Sequence, residues 1–258
     1  MHATAPRILS TLSSLVLIGA TVLTAAPAQA GDWFGSKTVA ATGRTSSVNR
    51  ELAPFHHIAV NLQGKIELIQ GNTEGAVVEG DENHLPLVET TVTNGKLNIR
   101  LAKGVALPSN AKIKVTVHVR NVDSLSLSGS GDLSAARLSA PKLASSIAGS
   151  GTITITDLQS DDLKVSISGS GSFEAQGAAK AMAVSIAGSG DVSTSKLSVQ
   201  EVKVSIAGSG DAILWVRQAL SVSIAGSGDV RYYGEGTLRN ASTMGAGSVK
   251  QLGNAPPV

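Results

Sequence analysis

The sequence predicts an all-β chain, a parallel β-helix (solenoid) of about seven turns of 18–20 residues, preceded by a strand-rich section continuous with it. Three observations carry this reading. First, a short motif recurs seven times, as LSLSGSGDL, SSIAGSGTI, VSISGSGSF, VSIAGSGDV, VSIAGSGDA, VSIAGSGDV and a degraded ASTMGAGSV. Second, the leading glycines of these copies, Gly129, Gly149, Gly169, Gly188, Gly208, Gly226 and Gly245, stand 18–20 residues apart. That span is too short to enclose a core alone but can share one when stacked. Third, apolar and polar residues alternate with the period of a strand, and beyond the leader no capped 3.6-residue period appears.

The chain opens with Arg7, an uncharged run from Ile8 to Ala26, and the small-x-small pattern Ala28, Gln29, Ala30 ahead of Gly31. This predicts a secretory signal peptide over residues 1–30, cleaved between Ala30 and Gly31. A membrane anchor is disfavoured, because the strongly apolar stretch Leu12 to Leu23 falls short of the roughly 20 residues a bilayer requires. No later segment is apolar enough to span, so the mature chain is expected to lack a transmembrane segment. Periplasm is the default address, with secretion or the cell surface beyond it. The chain has no cysteine, so exported stability must come from packing and hydrogen bonds rather than disulfides. Without the leader, 20 basic residues face 19 acidic ones, a balance that predicts neither nucleic acid nor a strongly charged partner.

Residues 31–47 are small, polar and without period, a flexible lead in which Trp33 and Phe34 are free to tuck against the body. A single domain follows over 48–252, with an anterior part at 48–121, the repeats at 122–252 and a tail at 253–258. In the anterior part, Phe55–Leu62, Lys65–Gln70, Ala76–Glu79, Val88–Thr93, Lys96–Leu101 and Ile113–Arg120 are strand-like runs bounded by Gly, Asn, Pro or Ser. Asn94-Gly95 between two of them predicts a type I′ hairpin, since both central residues need positive φ.

Aligning the repeats on their first glycine separates inside from outside. Two residues before it stand Leu127, Ile147, Ile167, Ile186, Ile206, Ile224 and Thr243, and four after it Leu133, Ile153, Phe173, Val192, Ala212, Val230 and Val249. Four before it stand Leu125, Ser145, Val165, Val184, Val204, Val222 and Ala241. These positions are predicted to stack inward, one strand spacing of about 4.8 Å apart. Three before it the residue is always serine: Ser126, Ser146, Ser166, Ser185, Ser205, Ser223 and Ser242. Alternation turns this column outward, beside a second column of Ser128, Ala148, Ser168, Ala187, Ala207, Ala225 and Met244. Small residues suit ladder stacking for its own sake, but the same face is a flat candidate surface for a glycan, a protein or a second copy. The paired glycines let the chain turn each corner. A phosphate-cradling loop is disfavoured, because strand rather than helix follows.

Other candidates are weaker. Asp191, Asp211 and Asp229 fall one turn apart as a weak candidate metal column, but an Asx-type turn, each carboxylate accepting from a nearby backbone amide at the corner, fits the Ser and Thr alternates better. His56-His57 lack a partner at ligand spacing. Lys112, Lys114, His118 and Arg120 alternate with apolar residues as a basic stripe that suits a solvated face or contact with anionic envelope polysaccharide. Trp215, Tyr232 and Tyr233 either cover the end of the core or offer aromatic platforms to sugar rings.

Taken together, F-x-x-I-x-V at Phe55, Ile58 and Val60, N-G-x-L-x-I at Asn94, Gly95, Leu97 and Ile99, and V-x-S-L-x-L-S-G-S-G from Val122 to Gly131 carry a resemblance. With the GSG turns that follow, the chain resembles the putative auto-transporter adhesin head domain, or GIN domain, family over about residues 48–250. The resemblance implies a bacterial exported solenoid with an adhesive role, and it supplies no catalytic residues and no cofactor. No translocator barrel of alternating strands is read in the sequence, so self-secretion is not expected. The expected function is a non-catalytic binding module for an envelope or extracellular glycan or protein, with self-association through the solenoid ends open to it. The alternatives are a polysaccharide lyase or hydrolase on the same fold, which fold alone does not decide, and a structural or regulatory periplasmic protein. Aromatics at 3% and acids confined to corner positions disfavour the enzyme.

Overall fold

The computed structural model describes residues 37–256. The leader, its Ala30–Gly31 junction, and Trp33 and Phe34 lie outside the described residues. The anterior strands are β1 (Lys37–Thr38), β2 (Thr45–Arg50), β3 (His57–Asn61), β4 (Lys65–Gln70), β5 (Gly75–Asp81), β6 (Val88–Thr93), β7 (Lys96–Leu101), β8 (Val105–Ala106) and β9 (Lys114–Val119). Among the described residues one 3₁₀ turn, Leu85–Leu87, is set by Pro86. The β6–β7 hairpin turns on Asn94 and Gly95 with φ of 52° and 72°, the positive pair that a type I′ turn requires.

The repeats form β10 (Ser124–Gly129), β11 (Asp132–Ala135), β12 (Leu138–Gly149), β13 (Thr152–Gly169), β14 (Ser172–Gly188), β15 (Asp191–Gly208), β16 (Ala212–Gly226), β17 (Val230–Tyr233), β18 (Thr237–Gly245) and β19 (Val249–Gly253). Each strand pairs parallel with its counterpart one turn on. The solenoid has about six turns rather than the expected seven, because seven glycine corners bound only six complete intervals. Within a turn the inward alternation breaks at corners and resumes, giving three faces. In β13 these are Thr152–Ile155, Leu158–Ser160 and Leu163–Gly169.

Two of these faces run straight into the anterior part. Leu97, Ile58, Leu125, Ser145, Val165, Val184, Val204 and Val222 are successive partners in one inward column. Val115, Ile66, Leu133, Ile153, Phe173, Val192, Ala212 and Val230 are partners in another. All are buried, so one hydrophobic core runs from β3 to β17. At the anterior end antiparallel strands close the stack: β6 lies on β7, β5 on β9, and β2 on β5.

The lead differs from expectation between residues 37 and 47. β1 pairs with β8, and β2 begins at Thr45. Its exposed pattern left no apolar alternation to read, because an edge strand needs ladder bonds more than burial. Between them, Gly43 N–H donates to the Asp81 carboxylate at 2.7 Å, the Thr42 hydroxyl to the same group at 3.1 Å, and the buried His84 Nε2 to the Val39 carbonyl at 2.9 Å.

Candidate functional site

The serine column is continuous. Ser126, Ser146, Ser166, Ser185, Ser205, Ser223 and Ser242 are Cα partners from β10 through β18. Ser126 is half-buried, and the six above it are exposed. The neighbouring column of Ser128, Ala148, Ser168, Ala187, Ala207, Ala225 and Met244 runs parallel to it in the same register. In that second column only Met244, 69% exposed, is bulky, and on the other side of the serines Lys164 and Lys203 stand exposed in register with Ala144 and Ala183. The corners that hold this face flat are themselves stacked glycines. At Gly208, φ is +135° and an added Cβ would lie 2.2 Å from the Gly188 carbonyl oxygen, so successive rungs approach there closer than any side chain permits.

The aspartate column works differently from an Asx turn. Asp191 Oδ1 accepts from the Asp211 amide at 3.2 Å, Asp211 Oδ1 from the Asp229 amide at 2.8 Å, and Asp229 Oδ1 from the Ser248 amide at 2.9 Å. Each carboxylate thus braces the corner of the next turn rather than its own. On the earlier rungs the equivalent amide reaches a glycine carbonyl instead, as Thr152 does to Gly131 at 3.1 Å and Ser172 to Gly151 at 3.0 Å. Arg231 also pairs with Asp211 at 3.3 Å. The column's hydrogen-bond donors are thus backbone amides and a guanidinium.

The other candidates disperse. His56 and His57 rings lie 4.3 Å apart, with His56 packed over Gly95. In the basic stripe Lys114 is tied to Glu67 at 2.9 Å. That bond, with the charges of Glu67 and Glu79, raises its pKa above the ordinary lysine value. Arg120 Nε donates to the Asn72 carbonyl at 2.9 Å. A cleft of about 900 Å³ between the segment Ala41–Thr45 and the first repeat corner is lined by residues of both charges, among them Lys65, Lys112, Asp81 and Asp132. The aromatics split: Tyr232 is buried, whereas Trp215 and Tyr233 point outward, half-buried, as Cα partners on adjacent turns. Arg217 lies over the indole, 5.5 Å from its centroid. Trp215 and Tyr233 each stand seven residues after the first glycine of their repeat, Gly208 and Gly226, so the aligned repeats already carry the signal that pairs them.

This stack of serine rungs, glycine corners and anterior hairpins matches a known family model. The model described as "Putative auto-transporter adhesin, head GIN domain" matches residues 54–236. The chain belongs to this family. The GIN-domain match takes in β3 through β17 and ends just before β18. Three solved structures share the fold. A putative adhesin from Bacteroides fragilis is 22% identical with a TM-score of 0.77, covering 82% of this chain and 99% of that one. A putative lipid binding protein from Parabacteroides distasonis has a TM-score of 0.67 at 22% identity, covering 84% and 100%. A putative adhesin from Parabacteroides merdae has a TM-score of 0.65 at 22% identity, covering 83% and 99%. No curated protein matches the chain. Among the described residues of this GIN domain, no helix is long and apolar enough to cross a membrane.

Proposed function

We propose that this GIN domain is a non-catalytic binding module of the bacterial envelope, periplasmic or displayed outside the cell, that presents its serine face to a glycan or protein. The observation that carries the reading is the unbroken, outward serine column, in register over seven strands, with small residues on one side of it up to Met244 and the exposed Lys164 and Lys203 on the other. A ladder of hydroxyls repeating at the strand spacing of about 4.8 Å can hydrogen-bond a flat partner at many points while demanding no change of shape. Family membership supports an adhesive role. The recurrent acids, which a polysaccharide lyase or hydrolase would need free and converging, are committed instead to amides of the neighbouring turn.

The test is a glycan array screened with the mature protein, alongside lyase and hydrolase assays on the polymers it retains. Binding without cleavage, weakened at least about tenfold by Ser185→Lys with Ser205→Lys, is the expected result, since two bulky charges would lift a partner off the face. Unchanged binding in that variant would remove the serine face from the reading. Cleavage of any polymer, abolished by Asp191→Ala or Asp211→Ala, would make the protein an enzyme.

A further inference from the structure

Away from the serine face, the last turns carry a feature that folding does not require. Phe55 and Phe173 are in the core, and so is Tyr232. The outward aromatics among the described residues, Trp215 and Tyr233, are direct partners on adjacent turns of a chain whose outward positions are otherwise mostly small or charged. Two irregularities bracket them. Below, Ser195–Leu197 of β15 have no counterpart in β16, so Leu214 runs directly into Trp215 while the previous rung bulges outward. Above, the register skips Leu252, which is left 39% exposed, and Tyr233 pairs with Gly253, which has no side chain to cover it. The indole Nε1 is turned inward without an acceptor, so the ring offers carbon to its surroundings rather than its N–H.

The charges beside this pair are asymmetric. Arg217 lies over the indole and is exposed, and Lys196 on the lower bulge is exposed. Neither has a carboxylate within 4.0 Å among the described residues, and the Asp211 carboxylate is taken by Arg231. Glu235 is separated from Tyr233 by the bend at Gly234. A step between two bulges, floored by aromatic rings one strand spacing apart and edged by unpaired cations, matches a chain of pyranose rings that carry carboxylates. The apolar face of a sugar stacks on the Tyr233 ring, and its carboxylate takes the fork of Arg217, which the indole of Trp215 holds in place from beneath.

We propose that Trp215 and Tyr233, with Arg217 and Lys196, form a binding site for an anionic, uronate-bearing polysaccharide, separate from the serine face. The measurement uses the full chain carrying Trp33→Phe, so that Trp215 is the single fluorescent tryptophan. It is titrated with oligogalacturonate, with uncharged cello-oligosaccharide, and with polyglutamate as a charge-only control. Oligogalacturonate is expected to shift and quench the Trp215 emission. Affinity, measured by calorimetry, should fall about tenfold or more in Tyr233→Ala and in Trp215→Ala, with circular dichroism unchanged, and the preference over the neutral oligosaccharide should be lost in Arg217→Gln.

Equal quenching by polyglutamate would reduce the site to a cationic patch and overturn the proposal, as would equal binding of the neutral sugar or no binding of oligogalacturonate. Binding lost in Ser185→Lys with Ser205→Lys but retained in Tyr233→Ala would overturn it too, and would leave the serine-face reading standing. The converse pattern supports this site whatever the serine face does.

Discussion

Ser145 interrupts an inward column that is aliphatic from Ile58 to Val222, and its hydroxyl is buried without a partner. An unmade hydrogen bond in a core costs about 1–3 kcal/mol, and the same column accepts valine at Val165, Val184, Val204 and Val222. Ser145→Val is therefore expected to stabilise the protein by about 1 kcal/mol, read as a rise of about 2–4 °C in thermal midpoint. No gain would mean that the hydroxyl has a partner. Gly208 is the opposite case. Its positive φ and the Gly188 carbonyl 2.2 Å from any added Cβ leave alanine no room that a flexible side chain could yield. Gly208→Ala is expected to cost at least about 2 kcal/mol in denaturant unfolding. A change below 0.5 kcal/mol would show that the rungs separate easily at the corner. Both effects follow from a residue's place in a column, which the aligned repeats already reveal.

At the level of elements, legibility depended on burial. Strands with one face in the core, such as β4 and β9, declared themselves by alternation, whereas the arm from β1 to β2 is mostly exposed and is held by bonds to residues about 40 positions away. Asp81 is the centre of that attachment. Partial desolvation pushes its carboxyl up, but amides of Thr42, Asn83 and Gly43 and the Thr42 hydroxyl outweigh this and hold its pKa down to about 2, from 3.8. Because the folded value lies below the unfolded one, the attachment is at full strength above about pH 4 and is lost as pH falls toward 2. Protection of the Gly43 amide from hydrogen exchange, taken relative to the intrinsic rate at each pH, should be lost across that window, and Asp81→Asn should bring the loss to neutral pH along with faster tryptic cleavage after Arg44. Protection unchanged in Asp81→Asn would mean that His84 and the β1–β8 pairing hold the arm alone. The aspartate brace was half legible for a related reason: the sequence showed carboxylates at corners, but only stacking shows that the amide they serve belongs to the next turn. Likewise, the final strands place Ala241, Thr243 and Gln251 where the turn below has Val222, Ile224 and Tyr232, so the last rung meets water through smaller or more polar groups.

For the whole molecule, a solenoid's stability is close to a sum over turns and the interfaces between them, and the near-identity of the repeats makes that testable. Deleting residues 188–207 joins Ala187 to Gly208 and rebuilds SIAGSGD at the junction. The serine, glycine and inward columns then close with one rung fewer, and β14 comes to lie directly beneath β16. This protein is expected to fold with native-like β-sheet circular dichroism, cooperative unfolding at a moderately lower midpoint, and a scattering envelope shorter by about 4.8 Å. Deleting only residues 188–197 removes half a turn. An even deletion keeps the two-residue alternation but removes the Gly188–Gly190 corner, so residues with side chains are set over the Gly169–Gly171 corner of the rung below, where a Cβ has no room. That protein should not fold. If the two deletions behaved alike, the turn would not be the cooperative unit, and the repeat would mark only the shape of a corner.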